Sequence, residues 1–116
     1  MKSHTRRAVV YIVGRAMGND SSTSVYDYSV ARHFPFGGDV NKGSVAIYDY
    51  TERCHVGGDL SSFYHHGNRG HISLELSGDS FSGYDYNERT HFSGTVIGTG
   101  VTVYDYGESA HFNYAV

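Results

Sequence analysis

The sequence predicts an all-β domain: a short β-solenoid or a β-hairpin array of five units of about 20 residues, with an N-terminal capping strand. Three observations carry this expectation. A nine-residue phrase returns along the chain, composition favours strands and turns, and helix signals are nearly absent. The phrase is clearest as Tyr26-Asp27-Tyr28, four variable residues, then His33-Phe34. It recurs as Tyr48-Asp49-Tyr50…His55-Val56, Tyr84-Asp85-Tyr86…His91-Phe92 and Tyr104-Asp105-Tyr106…His111-Phe112. A degenerate copy, Tyr64-His65-His66…His71-Ile72, stands between the second and the fourth. The 116 residues include 11 Tyr, 15 Gly, 1 Pro and no Trp. Tyr suits pleated surfaces and Gly suits turns, so this mix reads as many strands with many reversals.

Residues 1–17 carry no copy of the phrase. Their run Ala8-Val9-Val10-Tyr11-Ile12-Val13 is β-branched and without alternation, as in a strand covered on both faces. An atypical end unit is what a repeat array needs to cover its first open edge. Residues 18–116 then form the five units. Gly18-Asn19-Asp20, Gly37-Gly38-Asp39, Gly57-Gly58-Asp59, Gly78-Asp79 and Gly98-Thr99-Gly100 mark the breaks between them, because Gly takes positive φ and Asp bonds its own backbone in turns. The four variable residues within each phrase make the second break. Each unit therefore holds two short strands, the first ending in Tyr-Asp-Tyr and the second holding His-Phe.

Alternate side chains on a strand share a face. The two Tyr of a phrase therefore point one way, expected along the core with the hydroxyl at its rim. The Asp points the other way, toward solvent or a neighbour. In a solenoid, equivalent residues stack about 4.8 Å apart, which rewards identity between units. The same stacking puts Asp27, Asp49, Asp85 and Asp105 in one row, at about 0.9 kcal/mol of repulsion per pair in water's dielectric. It would also stack five His, whose protonation would then be mutually opposed. The alternative is a hairpin meander closed as a barrel or folded as a sandwich. It avoids both rows and tolerates the uneven phrase spacing. We take the solenoid as the leading expectation. A solenoid of this length is a rod, whereas a barrel is nearly round.

The charge is divided. Residues 1–17 hold Lys2, Arg6, Arg7 and Arg15 and no acid, for +4; the remainder sums to −7. A basic start on an acidic body serves either as a nucleic-acid arm or as a complement to its own domain. We take the second, since no stacking or groove-reading surface accompanies it. No apolar run is long enough for a membrane helix. The run Ala8–Val13 is shorter than the h-region of a signal peptide, and Gly14-Arg15 interrupts it, so the expected location is cytoplasmic. Cys54 is the only cysteine; it takes a variable position and reads as a small filler.

No motif dictates a reaction. A catalytic site needs one place unlike the rest, and repetition offers the same groups five times, so the expectation is a protein without catalytic activity or cofactor. The candidate ligand-binding residues are Tyr26, Asp27, Tyr48, Asp49, Tyr84, Asp85, Tyr104 and Asp105, since Tyr beside a carboxylate suits sugars and protein partners. Zinc wants about four converging ligands. Only the degenerate unit clusters candidates, as His65, His66 and His71, and any acid-base enzyme would be centred there too. The expected function is binding or scaffolding with self-association into a homo-oligomer through open ends. A lectin-like carbohydrate-binding module is the alternative, with a glycan or a protein as ligand.

Overall fold

A computed structural model describes residues 1–116. It confirms the all-β wall and corrects both the leading architecture and the N-terminal strand. The wall is a closed barrel of ten antiparallel strands, the hairpin alternative, and not a solenoid. The strands are β1 (Ser24–Asp27), β2 (Arg32–Asn41), β3 (Ser44–Asp49), β4 (Cys54–Asp59), β5 (Ser62–His65), β6 (Gly70–Ser77), β7 (Ser80–Asp85), β8 (Thr90–Ile97), β9 (Gly100–Asp105) and β10 (Ala110–Ala115). Each pairs with its sequence neighbours, and β1 closes the wall against β10 through Tyr26↔Ala115 and Asp27↔Tyr114. The extents of 30 × 28 × 27 Å are those of a round body, not a rod.

Ser3–Met17 is a helix, α1, inside the barrel. Ten successive residues, Thr5 to Gly14, are buried. Eight strands leave room only for side chains, and interior width grows with strand number. Ten strands admit a helix, whose side chains then fill the space. Tyr11 stacks on Phe36 with ring centroids 4.7 Å apart, and its hydroxyl donates to the Ser22 carbonyl at 2.9 Å. A surface helix would show an apolar stripe. This one is surrounded, so its apolar run is continuous and reads like a covered strand. No helix is long and apolar enough to cross a membrane.

The phrases form five hairpins: β1–β2, β3–β4, β5–β6, β7–β8 and β9–β10. In each, the third variable residue takes positive φ: Ala31, Arg53, Arg69, Arg89 and Ser109 lie between 53° and 56°. This left-handed conformation costs an L-residue about 1–2 kcal/mol, and Gly loses about 0.5–1 kcal/mol through its freer unfolded chain. Ala31→Gly is therefore expected to stabilise the protein by roughly 0.5–1 kcal/mol, read as a higher midpoint in urea.

The connections between hairpins correct the expected punctuation in part. Gly78-Asp79 and Gly98-Thr99 do turn the chain, but Gly37-Gly38-Asp39 and Gly57-Gly58-Asp59 lie inside β2 and β4. There the reversals fall on Lys42-Gly43 and Leu60-Ser61. The uneven phrase spacing appears as a shift in pairing. The N–H of Tyr86 and of Tyr106 donates to the His71 and His91 carbonyls of the preceding hairpin, and that of His66 to His55. Across the longer β2, the Tyr50 N–H instead donates to Pro35, two residues further on.

Two glycines are fixed by close packing. Phe81 pairs with Gly94 and Phe92 with Gly83 across β7–β8, and each ring occupies the place a Cβ on the opposite glycine would take. Such a Cβ at Gly83 would also meet the Ser73 carbonyl oxygen, and at Gly94 that of Thr102. Backbone cannot retreat as a flexible side chain can. Gly83→Ala and Gly94→Ala are each expected to destabilise by about 1–3 kcal/mol, measured by chemical denaturation.

Candidate functional site

The alternation within Tyr-Asp-Tyr holds, but its sense is the reverse of the expectation. Asp27, Asp49, Asp85 and Asp105 point into the barrel and are buried, whereas the Tyr residues lie on the outside. The cause is the turn. An inward carboxylate at the end of each first strand accepts from the N–H groups of the residues two and three further on. Asp49 Oδ1 takes Thr51 and Glu52 at 3.0 Å, Asp85 takes Asn87 and Glu88, and Asp105 takes Gly107 and Glu108. Asp27 takes Ser29 by both its N–H and its hydroxyl. These are Asx turns: each buried carboxylate pairs turn N–H groups that have no strand partner.

The degenerate unit keeps this device with a different atom. His65, fully buried, accepts the Asn68 N–H through Nδ1 at 3.0 Å. Its Nε2 meets no hydrogen-bond partner. The His4 ring of α1 lies 5.3 Å from it, centroid to centroid. Burial, then the neighbouring His4, pulls the His65 pKa down to about 4. Burial also lowers His4, against the opposing pull of Glu52.

The inward acids explain the divided charge. The N-terminal end of α1, the positive pole of its dipole, faces them. Arg6 Nη1 and the Met1 α-amino nitrogen each lie 2.9 Å from Asp105 Oδ2, and Arg7 lies 3.7 Å from Asp27. The two guanidinium groups also stack on Phe112 and Phe34, at 3.8 and 3.7 Å. Burial opposes ionisation of Asp105, but the α-amino group and Arg6 hold its carboxyl below the ordinary value. Asp49 has no such cation in contact. Burial raises it, against the pull of the Glu52 and Thr51 N–H groups. The basic start therefore complements its own domain, and its Arg6 and Arg7 are buried rather than available to a nucleic acid.

Outside, each phrase builds the same aromatic triad. Tyr26, Tyr48, Tyr64, Tyr84 and Tyr104 pair across the hairpin with His33, His55, His71, His91 and His111. Each Tyr ring meets that His edge-on at 4.6–5.0 Å. On its other side it meets the residue two further on, Tyr28, Tyr50, His66, Tyr86 or Tyr106, at 4.7–5.1 Å. The second Tyr of each phrase is 55–61% exposed. The five eighth-position His thus stand on separate Tyr rings, not in a mutually opposed row.

The expected metal candidates are not brought to one point: His66 and His71 flank Tyr64 outside the wall, while His65 faces the lumen. No group of three or more His, Cys, Asp or Glu is arranged to hold a metal ion. Cys54 lies near His65, since a Cβ on Gly67 would sit 2.9 Å from its Sγ and 3.2 Å from His65 Cε1. Burial pushes the thiol up, away from the reactive thiolate.

The concave part of the outer surface crosses β6–β9. One trough of about 950 Å³ runs over Ser73, Glu75, Ser82 and Ser93 beneath Tyr86 and Tyr106. A second, of about 450 Å³, shares Glu75, Ser82 and Ser93 and continues toward Thr95 and Thr102. Register explains it. Glu75↔Ser82, Ser82↔Ser93, Ser93↔Tyr104 and Tyr104↔His111 form one row across the wall. Ser80↔Thr95 and Thr95↔Thr102 form the next. Sequence reasoning missed Glu75 and these Ser and Thr because they lie outside the phrase; the period-two alternation of β6–β9 was the signal that could have found them. Comparison with protein-family models, characterised proteins and solved structures finds no match to this chain.

Proposed function

We propose that this chain is a non-catalytic binding module that takes its ligand on the aromatic outer face of the barrel. One observation carries the reading: the outward positions of the strands hold no Lys or Arg, and on β6–β9 only Glu75 is formally charged. A surface built only for solubility is best at about 25–35% charged residues. Depletion of charge with enrichment in Tyr is the mark of a recognition surface, and Tyr supplies rigid contact area at low entropic cost. The four inward Asp are buried among turn N–H donors, so the ligand contacts fall to the Tyr and His members of the phrase. The outward wall carries Ser, Thr and His rather than the apolar band that lipid requires. The absence of Lys and Arg from those positions also disfavours polyanions. Self-association through open strand edges has no place in a closed wall.

The test is an amide-resolved NMR screen of the labelled protein against a chemically mixed fragment set of sugars, short peptides, phosphates and aromatic amides. Shifts are expected to gather on β6–β9 and the Tyr86 and Tyr106 turns. Shifts gathered at Asn68 and His65, or spread evenly over the barrel, would count against the reading.

A further inference from the structure

We propose that the β6–β9 trough is a subsite for an uncharged oligosaccharide chain, which stacks on Tyr86 and Tyr106 and hydrogen-bonds to Glu75, Ser82 and Ser93. This rests on the binding-module reading above and names its ligand class. Four observations point to a sugar. First, the floor is small and hydroxylic. Ser82 and Ser93 are directly paired across β7–β8, so their hydroxyls lie side by side on the outer face. Ser is not among the β-branched and aromatic residues that strands favour, and at these positions it leaves the floor low where a larger side chain would fill it. What is left is a trough of about 950 Å³ rather than a flat interface, within the range of small-ligand sites.

Second, the rings are spaced for a chain of sugars. Tyr86 and Tyr106 follow equivalent first strands, β7 and β9, two strand positions apart. That is about 9.6 Å at 4.8 Å per strand, the span of roughly two linked sugar rings. Both rings stand free of the wall, 59% and 55% exposed, while Tyr84 and Tyr104 hold them edge-on from below. A ring fixed by its neighbour presents a flat apolar area without losing rotamer freedom on binding.

Third, the polar equipment suits hydroxyls and not ions. Glu75 is the sole formal charge, placed at the end of the Ser82–Ser93 row. A carboxylate accepts from two adjacent sugar hydroxyls, and the Ser hydroxyls both donate and accept. His91 and Tyr104 add further groups at the wall. No Lys or Arg lines the trough to hold a sulfate, a phosphate or a uronic acid, which favours a neutral sugar. Fourth, the trough has no open strand edge, so an extended peptide cannot add by main-chain pairing.

The experiment titrates labelled wild-type protein with neutral tetrasaccharides of β-linked glucose, α-linked glucose, β-linked mannose and β-linked N-acetylglucosamine, each followed by amide shifts and calorimetry. At least one is expected to bind, with shifts at Ser82, Ser93 and the Tyr86 and Tyr106 turns. Tyr86→Ala and Glu75→Gln are each expected to weaken it at least tenfold. Glu75 is exposed and not part of the core, so the second variant retains the fold, checked by circular dichroism. No binding by any tetrasaccharide, or binding unmoved by both substitutions, overturns the proposal. If fragments of another class still gather on this trough while no sugar does, the sugar assignment fails alone. If nothing gathers there, the binding-module reading fails with it.

Discussion

Lowering the pH from 7.5 to 4 is expected to remove about 3 kcal/mol of stability through His65 alone, lowering the melting temperature by roughly 10 °C for a chain of this size. The folded pKa of about 4 lies below the ordinary histidine value of 6.5. The unfolded chain therefore binds the extra proton between these values, so stability is fully present above 6.5 and falls as pH drops toward 4. Geometry explains the sense. Nδ1 is committed as acceptor to the Asn68 N–H, so the neutral ring carries its proton on Nε2; a second proton must go to Nδ1, losing that bond and charging a buried ring beside His4. His4 titrates in the same direction, and Glu52, 3.7 Å from its Nδ1, offsets it only in part. Lys2 and His66 add to the opposition around His65. His65→Asn keeps an acceptor at the turn and cannot titrate, so most of the acid slope should vanish in that variant. A melting temperature flat from pH 7.5 to 4.5, or a slope equal in His65→Asn, would refute this account.

The four Asp of the phrase are expected to differ sharply when neutralised, although they are identical in sequence context. Asp105→Ala removes the partner of buried Arg6 and is expected to cost about 3–5 kcal/mol, a large fraction of the stability of a domain this size. Asp105→Asn keeps the turn acceptor for Gly107 and should fold, at a loss of about 2 kcal/mol. Asp49→Asn should be near neutral or slightly stabilising, because burial already disfavours its charge and no cation touches it. The Asp105 carboxyl lies below its ordinary value, so its contribution is present above the unfolded carboxylate range and disappears in stronger acid, below the His65 window. Urea midpoints for the three variants at pH 7 decide the matter. Equal losses at Asp49 and Asp105 would show that the turn bonds, which both share, outweigh the ion pair.

Much of the wall was legible before any coordinates. The phrase marks the hairpins because cross-strand Tyr–His contact needs those residues at that separation, and the uneven spacing of the phrases favoured hairpins over constant coils. The direction of the phrase was not legible. Tyr26-Asp27-Tyr28 fixes which residues share a face, not which face is inside, and apolarity suggested Tyr. The turn decided otherwise: Asp27, inward and buried, caps the turn by accepting from the backbone N–H and the hydroxyl of Ser29. Residues 3–17 were misread for a related reason. Periodicity separates helix from strand only when one side meets water. Here β-branched Val9, Val10, Ile12 and Val13 are enclosed on every side, and burial overrides their modest helix propensity. The +4 start against the −7 remainder was the available clue, since Arg6 and Arg7 are paired with Asp105 and Asp27. The trough on β6–β9 could not be read at all without register, because Glu75, Ser82 and Ser93 become neighbours only through pairing.

The account stands on a helix held in the lumen of the barrel, and amide hydrogen exchange across residues 5–14 tests it most directly. Those amides are expected to exchange only with the global opening of the barrel, at rates matching the slowest strand amides of β7 and β8, with helical Cα shifts in the same spectra. Exchange of Ala8 to Val13 faster than the strands, or extended-chain shifts over that run, would contradict it.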